Sequence, residues 1–319
     1  MTIDNKLTAR KNASKVMKVV IPIARWIFLL GASYILLYPL FWMLTTAFRA
    51  EEDFYDSTII WVSKHYSLNN IKIAWKALDY VKGFWNTFKT EIIAAGIEII
   101  TCSITAYGLS RFEFKEKKLL MGILILTILV PTQMMMLPNM VGMRYFDFLG
   151  ILGLIGKITG QELRPSLLNS PLAFWIPSLF SVGLKGGLFI FIYTQFFKGM
   201  PKELEEAAYI DGAGPIKTFL TIVVPSSGVV FVTVTMFSII WHWNDTYLST
   251  LYFSKNQSLS VLLASIGNTF SFLGYSISDP PGKGLMAAAC LLVIAPMLIM
   301  YCFLQKKFVK SIDRVGIVG

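Results

Sequence analysis

PKELEEAAYIDGAG, residues 201–214, is a charged, helix-forming insert between two long apolar runs. Pro201 is suited to the first position of a helix, where its missing N–H has no partner to lose. Glu203, Glu205 and Glu206 place negative charge in the opening turns, against the positive end of the helix dipole. Gly212 supplies a stop, and Pro215 stands ready to begin a second short helix beyond the turn at 212–214. Ala207 and Ala208 are small enough for another surface to approach closely. The stretch predicts a helix, a bend and a helix, too polar to lie in hydrocarbon.

Outward from this insert the chain turns apolar. Of 319 residues, 55% are hydrophobic and only 15% charged, and the mean hydropathy is +0.61; such a composition belongs in a bilayer. A helix needs roughly 20 apolar residues to cross about 30 Å of hydrocarbon. Trp26–Phe48, Leu119–Met143, Thr218–Trp241 and Gly284–Gln305 are uncharged runs of that length. Two more runs are interrupted, Ile92–Ser110 by Glu98 and 172–197 by Lys185. The expectation is an all-α integral membrane protein with six transmembrane helices in 26–305, preceded by a segment 1–25 and followed by a tail 306–319. Pro131 and Pro138 bracket TQMMML and predict a kink in the third span.

Six spans put both termini on one side. Across 1–25, 111–118, 198–217 and 306–319, Lys and Arg outnumber Asp and Glu by roughly two to one, whereas 49–90, 144–171 and 242–283 are close to balance. The basic set is therefore expected in the cytoplasm, with both termini and the insert 201–217. The net charge of +10 then reports orientation and not a nucleic-acid footprint. Trp26–Phe48 exceeds the about 7–15 residues of a signal-peptide core and reads as a retained helix.

Enzyme chemistry finds little support. Cys102, Cys290 and Cys302 fall in predicted spans, without metal-ligand or disulfide spacing, and read as small buried hydrophobes. His65 and His242 are the only histidines, so no metal site is expected. HExxH, GxSxG and Gly-rich nucleotide fingerprints are absent, and PPGKG at 280–284 has Gly284 where a phosphate loop needs Ser or Thr. No catalytic residue and no cofactor bound by this chain is expected. Energy for any active transport must come from an ion gradient or from a separate protein.

The residues resemble the inner-membrane permease component of a binding-protein-dependent ABC importer, of the maltose or multiple-sugar type. That family's signature is EAA, three residues, G, nine residues, then I-x-L-P. Here Glu206, Ala207 and Ala208 precede Gly212, and Ile222, Val224 and Pro225 follow, with Val224 in place of Leu. YPLFWMLTTAFR at 38–49, AYGLSRFEF at 106–114, QFFKGMPKEL at 195–204 and WND at 243–245 extend the likeness over nearly the whole chain. Departures are a longer loop at about 148–168, Ser311 where Gly is usual, and an atypical ending at 315–319.

The resemblance implies the transmembrane domain of a type I importer in a bacterial cell (inner) membrane, with 201–217 a cytoplasmic coupling helix pair seated in a groove of an ATPase subunit. Glu206 would pair with a basic residue of the ATPase, Ala207 and Ala208 would fit the groove wall, Gly212 would make the bend and Asp211 would cap or charge the second helix. Pro225 closes the signature. Expected partners are a second homologous permease subunit, two ATPase subunits that carry ATP and Mg, an extracellular solute-binding protein, a carbohydrate and the lipid bilayer.

Within the spans, Glu98 either lines a polar cavity or bonds a neighbouring helix. Lys185, flanked by Gly183, Gly186 and Gly187, either faces the translocation path or marks the external interface, with the helix starting after Gly187. Trp241 and Trp243, with Tyr247, are read as interfacial anchors or as stacking platforms for a sugar ring. The external stretch Glu51–Lys89, with Trp61, Trp75 and Trp85, predicts short amphipathic helices that meet either a substrate-delivering protein or the membrane surface. Alternatives for the function are an ABC permease for a polyol or glycerophosphodiester and an ion-coupled secondary transporter, which would show half-chain repeats. No convincing repeat is present.

Overall fold

In the computed structural model, which describes residues 2–315, α1 runs unbroken over Thr2–Ala47. Pro22 and Pro39 lie inside it; prolines are tolerated in membrane helices, where nearby groups re-satisfy the freed carbonyls. After a 3-10 turn at Glu52–Phe54 come α2, Asn69–Ala77, and α3, Tyr80–Thr87. A π-turn, Phe88–Ile92, joins α3 to α4, Ile93–Arg111. Next are α5, Lys117–Leu129, α6, Thr132–Arg144, and α7, Ile151–Thr159. Then α8, Leu172–Leu179, and α9, Gly186–Gly199, precede α10, Glu203–Ile210, and α11, Pro215–Thr218. A second π-turn, Phe219–Val223, leads into α12, Val224–Ser226, and α13, Gly228–Trp243. Three short helices follow, α14 at Tyr247–Tyr252, α15 at Leu259–Ala264 and α16 at Ile266–Phe272. The long α17, Pro280–Val315, ends the described chain. No strand forms among the described residues; Arg49 and Tyr66 make one isolated bridge. Of the atypical ending noted at 315–319, residues 316–319 lie outside the described residues.

Among the described residues, three helical stretches are long and apolar enough to cross a membrane, Val20–Ala47, Tyr80–Arg111 and Pro280–Gln305. Two bent pairs bring the number to as many as five, α5 with α6 (103°) and Pro215–Ser226 with α13 (82°). The first bend has a local cause. Pro131 forces Val130 into extended backbone (φ −69°, ψ 121°), because a residue before proline is sterically barred from the helical region. The kink expected from the two prolines is thus a break at Pro131, while Pro138 stays inside α6.

Two expectations change. The run 172–197 is not a continuous helix: Ser181 (φ 61°) and Lys185 (φ 66°) take left-handed backbone between α8 and α9. The helical stretch that contains α4 begins at Tyr80, ahead of the expected start of the run at Ile92. PPGKG opens α17 and forms no phosphate loop. Of the three cysteines only Cys102 is fully buried; Cys302 is exposed.

The chain divides into two units. In the first, residues 1–74 and 275–291, Asn70 Nδ2 donates to the carbonyls of Ala47 (3.2 Å) and Arg49 (2.9 Å) and so fixes the exit from α1. Asp53 is buried there and accepts the backbone N–H of His65 (2.8 Å). Its other oxygen lies 2.9 Å from His65 Nδ1, and that hydrogen bond, followed by the charge of Glu52, holds the imidazole above its usual pKa. Glu52, Asp53 and His65 bring their ligand atoms within 4.8 Å of one another, but His65 Nδ1 is already engaged by Asp53. Gly284 passes so close to the Phe54 ring and Asn70 Nδ2 that a Cβ would lie 2.6 and 2.8 Å from them.

In the second unit, residues 75–274 and 292–319, α4 is central and packs on α8, α9 and α13. Its small residues Ala94, Ala95 and Ala106 are fully buried, which lets helix backbones approach closely. Around it Cys102, Tyr107, Phe189, Tyr193, Phe197 and Val234 form the main core, and Phe174, Leu248, Tyr252 and Phe253 a second one. Gly284→Val should overpack the Phe54 contact and destabilise the protein by about 1–3 kcal/mol, read as a lowered melting temperature in detergent. An unchanged melting temperature would contradict the close approach at Gly284.

Candidate functional site

The segment around 201–217 folds as two short helices meeting at a glycine. Gly212 takes φ +78°, the left-handed conformation that ends α10, and the Ala213 N–H donates back to the Ala208 carbonyl (2.9 Å). Pro215 occupies the first turn of α11, behind Gly214 as its N-cap. Two details differ from expectation. Pro201 precedes α10, whose N-cap is Lys202, and Asp211 follows α10 without a side-chain bond to the start of α11.

Charge sorts the two sides of α10. Glu206 and Ala207 are exposed and Ala208 half-buried, whereas Glu205 is buried. Glu205 Oε2 accepts the Tyr107 hydroxyl hydrogen (2.9 Å), and Tyr107 also lies 3.3 Å from the Tyr209 hydroxyl. Arg111 Nη2 sits 2.6 Å from Glu205 Oε1 and donates to the Met200 carbonyl (3.2 Å). Both charged side chains are buried, so this pairing is effective only because each neutralises the other. Tyr107 and Arg111 are four residues apart on one face of α4. They lie in AYGLSRFEF, whose place in the fold is therefore to grip α10 from beneath. Glu205 was not singled out in the sequence, because neighbouring glutamates look alike until the helix is docked. Pro225, the last residue of the signature, lies exposed in α12.

At the other end of α4 lies a buried cluster the sequence only partly showed. His242 from α13 is wholly buried between two carboxylates, with Nδ1 3.1 Å from Glu91 Oε2 and Nε2 2.9 Å from Glu98 Oε2. Ser249 Oγ donates to Glu91 Oε1 (2.7 Å). A neutral imidazole has one donor and one acceptor nitrogen, so with two ionised carboxylates one nitrogen lone pair would oppose an anion. The cluster therefore carries at least one further proton, held on the ring or on a carboxyl. Glu98 is joined through His242 to the neighbouring helix α13.

Glu98 Oε1 is aimed at the break between α8 and α9. A Cβ on Gly183 would lie 2.9 Å from this oxygen and 2.6 Å from Ser178 Oγ. That closeness explains why a residue without a side chain stands there.

The remaining candidates separate. Lys185 is the exposed N-cap of α9, its Nζ 3.2 Å from Thr132 Oγ1 and 6.0 Å from the centre of the Trp241 ring. Trp241 also packs on Phe189 and Phe237. Trp243 is buried, and its indole N–H donates to the Val293 carbonyl (3.1 Å); it is neither an interfacial anchor nor an open stacking platform. Tyr247 is exposed. In the WND motif, Asp245 receives the N–H groups of Leu248 (3.4 Å) and Ser249 (2.8 Å), which sets the start of α14 beside Glu91.

Long apolar helices, a polar helix pair gripped from below, and buried charges spent on joining helices describe a membrane transport subunit. The chain belongs to the family of binding-protein-dependent transport system inner membrane components, whose sequence profile matches residues 99–314. It is 28% identical over 283 residues to the melibiose/raffinose/stachyose import permease protein MelC of Bacillus subtilis, covering 88% of this chain and 91% of that one. It is 24% identical over 282 residues to the diacetylchitobiose uptake system permease protein NgcG of Streptomyces coelicolor, covering 88% and 84%. Among solved structures, a bacterial ABC transporter involved in import of the acidic polysaccharide alginate shares the fold, with a TM-score of 0.66, 16% identity, and coverage of 93% and 98%.

His242→Leu should strand two buried carboxylates and cost about 3–5 kcal/mol, whereas replacing the whole cluster (Glu91→Met, Glu98→Leu, His242→Leu) should recover most of that loss. Thermal melting of the purified variants decides. If the single variant melts like the parent, the cluster does not hold α4 to α13.

Proposed function

We propose that this chain is a transmembrane subunit of an ATP-driven importer that moves a carbohydrate, an oligosaccharide, into the cell. The cargo reading is supported by the relatives named for melibiose, raffinose and stachyose, for diacetylchitobiose, and for starch degradation products. Six crossings follow if α8 and α9 form one broken span beside the three long helices and two bent pairs. The Lys and Arg asymmetry then puts 201–217 and both termini in the cytoplasm.

The observation that carries the coupling reading is the two-sided character of α10. Its inner side is fixed to α4 through Glu205, while Glu206 and Ala207 face outward and Ile210 and Ile216 are 87% and 77% exposed. Large aliphatic side chains so fully presented at the ends of a polar segment suit a hydrophobic groove rimmed by charge. An ATPase subunit is the occupant: Glu206 meets a basic residue, the alanines admit its groove wall, and ATP with Mg is handled there. A second homologous permease, a second ATPase subunit and an extracellular solute-binding protein complete the assembly.

Glu206→Lys or Gly212→Val, which forces a branched residue into left-handed backbone, should leave the subunit in the membrane but abolish solute-stimulated ATP hydrolysis by the reconstituted importer. Normal stimulated turnover in both variants would overturn the assignment of 201–217.

A further inference from the structure

The loop that departs from the family pattern holds a deliberately built helix, α7. Gly150 (φ +77°) and Gly160 (φ +71°) bracket it, and Asp147 caps its start by accepting the N–H groups of Leu152 (2.9 Å) and Gly153 (2.8 Å). One face is turned onto the loop itself. A Cβ on Gly153 would lie 2.7 Å from Asp147 Oδ2, and one on Gly156 2.7 Å from the Gln161 carbonyl. The opposite face presents Ile151, Leu154, Ile155 and Ile158, spaced i, i+3, i+4, i+7, with Leu154 and Ile158 62% and 78% exposed. Among the described residues, all four side chains of that stripe are exposed.

The geometry points to the bilayer interface as the occupant: α7 lies in the membrane surface with its Ile and Leu stripe among the upper acyl chains. Three observations favour lipid over a protein. The stripe is not alone: no residue of α6 is buried, Met134, Leu137 and Val141 there are exposed, and so are Phe148 and Leu149 between the two helices. The turn from α6 is a basic and aromatic knot, with the guanidinium groups of Arg144 and Arg164 5.6 and 5.3 Å from the Tyr145 ring centre, the composition of a headgroup-level belt. The stripe is purely aliphatic, without the Trp, Tyr or Arg anchors that concentrate binding energy in protein interfaces, and Lys157 at its flank suits anionic headgroups. The inference rests on the membrane embedding of the chain and on neither the cargo nor the ATPase.

Spin labels on single cysteines at Ile151, Leu154, Ile155 and Ile158, with Lys157 and Thr159 as controls, provide the test. The full-length chain, with the subunits that co-purify with it, is reconstituted in vesicles of phosphatidylethanolamine and phosphatidylglycerol. Cys290 and Cys302 are replaced by Ser, and buried Cys102 is kept. Power saturation should show collisions shifted toward oxygen and away from a water-soluble nickel chelate at the four stripe positions, and the reverse shift at the two controls. Nickel dominating at the stripe would place it in water, and shielding from both relaxants would place it against protein. Either result overturns the proposal.

Discussion

His242, held between Glu91 and Glu98, is the contact on which the arrangement around α4 depends. Two carboxylates and an imidazole taken out of water are costly alone, and they persist only as a set that shares its protons and hydrogen bonds. The set joins residues far apart in the chain: the π-turn before α4, the middle of α4 and the end of α13. Ser249 and Asp245 then bring α14 to the same place. At the opposite end of α4, Tyr107 and Arg111 hold Glu205 of α10. From Glu98 to Arg111 is about 20 Å of helix at 1.5 Å per residue. A rod with polar fastenings at both ends, small residues along its packed faces and no proline within it is suited to carry a displacement without absorbing it.

The helix break at 180–185 belongs to the same logic. Ser181 and Lys185 in left-handed backbone separate α8 from α9, and Gly183 lets Glu98 and Ser178 come close to the chain at that point. Lys185 ends that break, with Nζ 3.2 Å from Thr132 Oγ1 and 6.0 Å from the centre of the Trp241 ring, so it does not sit within a continuous helix.

How much of this was legible follows from the range of the forces involved. Apolar runs and basic flanks act locally, so the long helices, the polar insert and the left-handed turn at Gly212 could be read from the chain. Pro131 announced its own bend. Partners across long separations could not be read: Glu98 stood out as a lone charge, but nothing local linked it to His242, and Glu91 lay just beyond the expected span. Glu205 and Glu206 were indistinguishable until docking buried one and exposed the other. Trp243 at the end of an apolar run looked interfacial, and only the position of α17 shows its indole N–H spent on Val293. The break between α8 and α9 was half visible, as glycines around a lysine, because glycine permits unwinding without requiring it.

The central claim is that the outward side of α10 and α11 is where work enters this subunit, with α4 fixed behind it. A photo-crosslinking residue at Ile210 or Ile216, in the assembled importer in native membranes, tests this most directly. The account predicts a covalent adduct with the ATPase subunit at both positions, and none from the same probe at Tyr107, which is buried behind α10. Adducts with lipid or with another permease chain in place of the ATPase would contradict it.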